Sequence, residues 1–188
     1  MDLIELYNKE YATCSDKGNV HTYVQGYYCD EFILPARVKN FLEIGIMHGG
    51  SLMLWHDWFP AANIVGMDIA EDSLEYLEKN KKGKEYDRIS THILDAYTQE
   101  ALDLYEDNYF NYIIDDGPHS LPSQQYAVKH YLRKVRPGGK LIIEDVQKED
   151  WFQHLRDAAD PDLVAGTREI KLDIKHRYDD MIFEITRR

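Results

Sequence analysis

Two short stretches place carboxylates where the chain leaves an apolar run. Residues 112–120 read YIIDDGPHS, so Asp115 and Asp116 precede a Gly-Pro turn and His119. Residues 140–146 read KLIIEDV and put Glu144 and Asp145 after a similar run. Asp, Gly and Pro are turn formers, so either stretch alone is explained by a strand that ends. Together they bring four carboxylates to the ends of two strands that are usually neighbours in alternating α/β chains. Unpaired carboxylates in a small volume repel and raise one another's pKa. A hard divalent cation resolves that repulsion, and all-oxygen ligation favours Mg²⁺ (or Mn²⁺) over zinc. An imidazole beside such a site is suited to accepting a proton near neutral pH.

A second constellation lies upstream. LEIGIMHGGS (42–51) carries Gly45, Gly49 and Gly50 between an apolar run and a stretch of helical spacing. Glycines there permit a tight turn and close backbone approach, and the following helix offers free N–H groups. The spacing is G-x-x-x-G-G and not the G-x-G-x-x-G of dinucleotide folds. Asp68 closes the next apolar run about twenty residues on, where such folds carry a ribose-binding acid.

The elements that must position these residues follow a regular rhythm. Strands are expected at 40–45, 63–69, 88–94, 110–115 and 140–146, with helices at 51–59, 72–82, 98–105, 123–135 and 149–159 between and after them. Arg136-Pro137-Gly138-Gly139 breaks the fourth of these helices. Strands at 167–175 and 180–187, joined by HRYD, suit an antiparallel closing pair. Alternation of this kind predicts an α/β fold: a Rossmann-like, doubly wound seven-stranded sheet, mostly parallel with an antiparallel last strand. Residues 1–39, Tyr-rich and interrupted by SDKGN, read as an N-terminal helical cap segment. Residues 40–188 read as the main domain of a single globular unit. Ligands of such sheets bind at the carboxyl ends of the strands, and each polar residue singled out above lies at such an end.

On these residues the chain resembles class I S-adenosylmethionine-dependent methyltransferases: E-I-G-x-x-x-G-G-S (43–51) is similar to their first motif, and G-M-D-I (66–69) to their acidic second-strand end. D-D-G-x-H with a later E-D, and SDKGNVHTY (15–23), resemble a narrower family. Its members are metal-dependent O-methyltransferases of macrolide and related sugars, with cephalosporin-pathway relatives. The resemblance implies that Glu43 and the Gly45 turn face the methionine end of the cofactor. It implies that Asp68 holds the ribose hydroxyls and that Asp95 lies near the adenine. Ser51, Gly49, Ile69, Ala96 and Asp115 would line the same pocket, and His48 would meet the cofactor through its backbone. It further implies Asp116, Glu144 and Asp145 as metal ligands, His119 as general base, and His21 and Tyr23 on the cofactor or substrate side. Position 118 is Pro, where that family often has Ser, and the chain is short for the long lid and extra N-terminal domain of larger members.

The expected activity is methyl transfer from S-adenosylmethionine to a hydroxyl of a sugar, glycoside or related small molecule. A catechol-type O-methyltransferase is the alternative enzyme, although its strand-five pair is more often Asp-Asn. A non-catalytic cofactor-binding module and a nicotinamide dehydrogenase are the other readings. A net charge of −12 in 188 residues repels phosphate backbones and argues against nucleic acid as a partner. No run is apolar for long enough to span a bilayer, and MDLIELYNKEY lacks the basic start of a secretion leader. Two cysteines make no disulfide framework, so a cytoplasmic, reducing compartment is expected, with a homo-oligomer open. His56, His92 and His130 read as packing or surface residues, and Trp55, Trp58 and Tyr76 as core or an interface.

Overall fold

The computed structural model describes residues 1–80, 85–172, 174, 175 and 177–188. Seven strands, β1 (Asn40–Ile44), β2 (Asn63–Asp68), β3 (Ile89–Ile93), β4 (Phe110–Asp115), β5 (Val135–Ile143), β6 (Val164–Lys171) and β7 (Met181–Arg187), form one sheet of order β3-β2-β1-β4-β5-β7-β6. The first five are mutually parallel, and β7 pairs antiparallel with both β5 and β6. The strand order reverses between β1 and β4, so a crevice opens at their carboxyl ends.

Helices α3 (Gly50–Trp58), α4 (Asp72–Asn80), α5 (Gln99–Asp103), α6 (Leu121–Tyr131) and α7 (Trp151–Ala158) fall where the periodicity places them. Ahead of them, α1 (Leu3–Leu6) runs into a π-helical turn (Tyr7–Tyr11). A second π-helical turn (Val24–Tyr28) runs into α2 (Cys29–Glu31). The expected helix end at residues 81–82, position 173 of the expected sixth strand and position 176 of the HRYD link lie outside the described residues.

Several boundaries differ from expectation, among them the end of β6 at Lys171, where the expected strand runs to 175. Helix α6 stops at Tyr131, and the Arg136-Pro137-Gly138-Gly139 segment belongs to β5. The pairing of β4 with β5 shifts register between Phe110 and Tyr112, and Gly138 adopts φ 79°. A bulge of this kind lets a strand carry Pro and Gly that a regular ladder would reject. Strand β6 begins at Val164, three residues before the expected start.

The sheet is covered on both faces. One face, with Phe41, Ile114, Ile142 and Ile182, packs against α3 and residues 3–32. The other, with Leu42, Ile113, Leu141 and Ile143, packs against α5, α6 and α7. Phe32 ties the N-terminal segment to the first face. Its ring lies 4.8 Å from those of Tyr28 and Tyr112, 5.1 Å from Phe59 and 5.5 Å from Trp55, in edge or stacked geometries. Trp58 donates its indole N–H to the Phe32 carbonyl at 3.1 Å. Phe32→Ala is expected to cost about 3–5 kcal/mol, the range for emptying a buried aromatic site, and to lower the urea midpoint of one cooperative transition. A separate early transition for residues 1–39 would instead mark them as an independently melting cap.

Candidate active site

Period-two alternation decides which acids meet. Glu43, Asp116 and Glu144 continue the face that carries Phe41, Ile114 and Ile142. Asp115 points to the opposite face, where Tyr97 donates its hydroxyl to Oδ1 at 2.5 Å. Asp145 would follow Asp115, but its backbone is left-handed at φ 51°. That turn brings its carboxylate to Tyr23, whose hydroxyl donates to it from the N-terminal layer.

The loop after β1 is organised by Asp68. Its Oδ2 accepts the N–H groups of Ile46 and Met47, each at 2.9 Å, and Oδ1 accepts that of Ala70 at 2.9 Å. Gly45 has φ 82°, and a Cβ there would lie 2.0 Å from the Asp116 carbonyl oxygen. Only glycine allows the β1 and β4 ends to approach so closely. Above this loop lies a cleft of about 1170 Å³. Gly45, His48, Ser51, Asp68, Ile69, Asp95, Ala96 and His21 line it, as does Tyr76, whose ring lies 4.2 Å from that of His48. Tyr76 therefore lines the cleft and is not a core residue.

Asp116, His119 and Asp145 also face the cleft. Each offers a ligand atom, and these atoms lie within 4.8 Å of one another. His119 Nε2 is 3.5 Å from Asp145 Oδ2 and 3.9 Å from Asp116 Oδ1. His119 has φ 52°, a left-handed conformation that L-residues seldom adopt and that recurs where function re-aims a side chain. His21 Nδ1 lies 2.8 Å from Asp180 Oδ1 and 3.3 Å from Asp145 Oδ1, and its ring stacks on Tyr23. Burial raises the Asp145 carboxyl above its usual range, and the Asp116 charge adds to this while His21 and Tyr23 oppose it. Such a donor set fits a divalent cation, which would relieve that repulsion.

Five expected site residues lie elsewhere. Glu43, Gly49, Tyr23, Asp115 and Glu144 are buried beneath the cleft and do not line it. Glu43 and Glu144 are removed from it by a residue that sequence reasoning did not single out. Lys17, with 2% exposure, places Nζ 3.0 Å from Glu43 Oε1 and 2.7 Å from Asp116 Oδ2, and ion-pairs Glu144 Oε2 as well. Tyr28 donates to the other Glu144 oxygen at 2.7 Å. The four carboxylates of the two strand ends thus do not form one set. Alternation separates Asp115, and Lys17 engages Glu144. Burial works against the Lys17 ammonium, but the charges of Asp116, Glu144 and Glu43 outweigh it and hold its pKa well above the usual lysine value.

His56, His92 and His130 are packing residues. His56 meets Asp57, His92 meets the Tyr105 hydroxyl, and His130 lies against Tyr126. Trp55 is fully buried.

The cleft lining holds seven aspartates (Asp16, Asp68, Asp72, Asp95, Asp116, Asp145 and Asp179) and, among the described residues, no lysine or arginine. A parallel sheet with a glycine turn after β1 and an acid at the end of β2 defines a nucleoside-cofactor-binding α/β domain. The sequence profile described as a methyltransferase domain matches residues 40–182, and the chain belongs to that family. It is 33% identical to mycinamicin VI 2''-O-methyltransferase of Micromonospora griseorubida, over 67% of this chain and 31% of that protein. It is 28% identical to the 8-demethyl-8-alpha-L-rhamnosyl tetracenomycin-C 2'-O-methyltransferase of Streptomyces olivaceus, over 73% of this chain and 36% of the relative. The chain thus spans about a third of the length of these curated relatives. Among solved structures, MycE in complex with Mg, SAH and mycinamycin VI superposes with a TM-score of 0.72 at 24% identity, over 100% of this chain and 53% of that one. The SAH-bound Podospora anserina methyltransferase PaMTH1 gives 0.63 at 16%, over 99% and 87%. These likenesses establish the Rossmann-like methyltransferase fold. No helix among the described residues is long and apolar enough to cross a membrane.

Burial raises the Asp115 carboxyl to about 7, against the Tyr97 hydrogen bond that lowers it. An unfolded aspartate titrates near 4, so folding takes up a proton between about pH 4 and 7. The contribution of Asp115 to stability therefore falls as pH rises through that window and stays low above it. Asp115→Asn keeps an acceptor for Tyr97 without the charge. In chelator, it should leave the melting temperature nearly unchanged at pH 5 and raise it at pH 8.5, measured by calorimetry.

Proposed function

We propose that this chain binds S-adenosylmethionine and, with Mg²⁺, methylates a hydroxyl of a sugar or glycoside. The observation that carries this reading is the charge of the cleft. Its lining holds seven aspartates and no lysine or arginine; Lys17 and Arg177 pair with Asp116 and Asp179 from outside it, and the excess of negative charge suits a cofactor that bears a sulfonium and an amino group. The same excess disfavours the pyrophosphate of a nicotinamide cofactor. The sugar O-methyltransferases among its relatives support the acceptor class.

Asp68 holds the glycine loop with three accepted N–H bonds, and the second lone pair of Oδ1 is left for a ribose hydroxyl. Asp95 and Ala96 follow β3 at the cleft wall and would flank the adenine, while Ser51 and the Gly45 turn lie toward the methionine end. Asp116 and Asp145 are the carboxylates that reach the cleft and would hold the cation. Glu144 would join them only by loosening its pair with Lys17. Bound there, S-adenosylmethionine supplies the activated methyl and Mg²⁺ lowers the pKa of an acceptor hydroxyl. His119, delivered by its left-handed turn beside both carboxylates, accepts the hydroxyl proton at Nε2. Its imidazole then lies next to Asp145, which stabilises the imidazolium that forms.

Asp68→Ala is expected to weaken S-adenosylmethionine binding roughly tenfold or more by calorimetry, the loss of charge-assisted hydrogen bonds of about 1.5–3 kcal/mol. It should also lower the melting temperature of the free protein, because Asp68 holds the loop as well. Unchanged affinity would remove the cofactor from this end of β2.

Turnover itself is read by transfer of labelled methyl from S-adenosylmethionine to a panel of glycosides. Excess chelator should abolish it, and Mg²⁺ or Mn²⁺ should restore it. His119→Ala should cut kcat by about a hundredfold or more while cofactor affinity stays the same, the scale of a lost general base. Full activity in chelator, or a His119→Ala enzyme as fast as wild type, would overturn the corresponding role.

A further inference from the structure

Lys17 is a buried ammonium shared by three carboxylates. Glu43 comes from β1, Asp116 from the end of β4 and Glu144 from the end of β5. Asp116 is the hinge between this cluster and the cleft. Its Oδ2 meets Lys17, and its Oδ1 faces His119 and, with Asp145, the space a cation would take. The same three acids also satisfy the geometry of a metal cluster, and Lys17 lies within ion-pair distance of all three. Asp16 is the other nearby charge on this segment, and Tyr28 is the neutral donor to Glu144.

Building on the metal-dependent reading above, we propose that Lys17 is a positioning residue that sets the divalent-cation affinity of the cleft by competing for Asp116 and Glu144. Its charge is fixed in place by the fold, so it acts in two ways. It orients the Asp116 carboxylate so that one oxygen is left for the cleft. It also lowers the net negative charge that an incoming cation experiences, so binding is weaker than Asp116, Asp145 and Glu144 would give if free of it. A cation that recruits Glu144 does so at the expense of the Lys17 pair. The ammonium then keeps Glu43, a carboxylate outside the cleft lining.

The test is calorimetric titration of the full chain with Mn²⁺ and with Mg²⁺ at pH 8, without cofactor or acceptor. Lys17→Met should tighten divalent binding roughly tenfold or more, because removing a positive charge a few ångströms from a cation removes a strong repulsion. Metal should then raise the melting temperature of this variant more than that of wild type. Lys140→Met removes a lysine from two other carboxylates, Glu31 and Glu184, and should leave the affinity within about twofold. A folded Lys17→Met protein with wild-type affinity overturns the proposal and leaves the metal-dependent reading standing. Binding by Lys17→Met where wild type binds no cation supports the proposal and sinks metal dependence for the native chain. No binding by either overturns both.

If Lys17→Met does not fold, Glu43→Gln decides. With one carboxylate fewer to share, the ammonium is held harder by Asp116 and Glu144, and divalent binding should weaken several-fold. An unchanged affinity in that variant overturns the proposal.

Discussion

A fully buried ammonium must find its counter-charge inside the protein, and Lys17 finds three carboxylates from three segments of the chain. Removing ions from water costs several kcal/mol each, and only close pairing with completed hydrogen bonds recovers it. The site meets that condition in part, with both Glu43 oxygens and Asp115 Oδ2 buried without a hydrogen bond. Glu144 has Lys17 and the Tyr28 hydroxyl, Asp145 has Tyr23, Asp115 has Tyr97, and Asp116 has Lys17. Lys17, Tyr23 and Tyr28 all belong to the first forty residues. The N-terminal segment therefore supplies the groups that let strands β4 and β5 end in acids, and the active-site geometry depends on its docking.

That dependence explains the aromatic character of the segment. Tyr7, Tyr11, Tyr23, Tyr27 and Tyr28 each bury a ring against the sheet face or α3, and each carries a hydroxyl to a polar partner. Phenylalanine would pack as well, but at 23, 27 and 28 it would leave buried carboxylates without a donor, an unsatisfied group costing about 1–3 kcal/mol or more when charged. Wide helical turns at Tyr7–Tyr11 and Val24–Tyr28 flank the Lys17 loop in sequence. Such turns inside helices recur at functional sites. Gly50, at the start of α3, closes the same contact from the other side. A Cβ there would lie 1.9 Å from the Cys14 carbonyl oxygen, so the segment lies directly on the helix start.

The sheet was legible because its signal is local. Short apolar runs ended by Gly or Asp alternate with helical spacing, and the ends of β1, β2 and β4 lie within a residue of where the runs stop. Asp68 and the pairing of Asp116 with His119 followed from their positions at strand ends. The division of the acids was less visible, although period-two alternation already sends Asp115 and Asp116 to opposite faces. What that rule misses is the left-handed backbone at His119 and Asp145, since nothing in a His or Asp residue announces φ near 50°. Nor does local pattern show that Pro137 and Gly138 fit inside β5, because the bulge is made by pairing with β4. The role of Lys17, which lies within the SDKGNVHTY stretch, was hidden for a related reason. Its partners Asp116 and Glu144 are 99 and 127 residues away, so no window of sequence contains the interaction.

The same arrangement assigns different work to two acidic surfaces. Beneath the cleft, Lys17 offsets part of the negative charge of three carboxylates, and the acids there serve the fold. In the lining, aspartates remain without a lysine or arginine among them, and the field they create selects for positive charge. Asp116 belongs to both surfaces, with one oxygen on Lys17 and the other toward His119. A carboxylate held from behind by a fixed cation loses little orientational freedom when it takes a ligand in front. A ligand-binding group is thereby set before the ligand arrives, and the cost of ordering it is met during folding. The residues that stabilise the apo fold and those that face the cleft are thus joined through one side chain. Charge changes on the buried side of Asp116 reach the cleft through that carboxylate and through space.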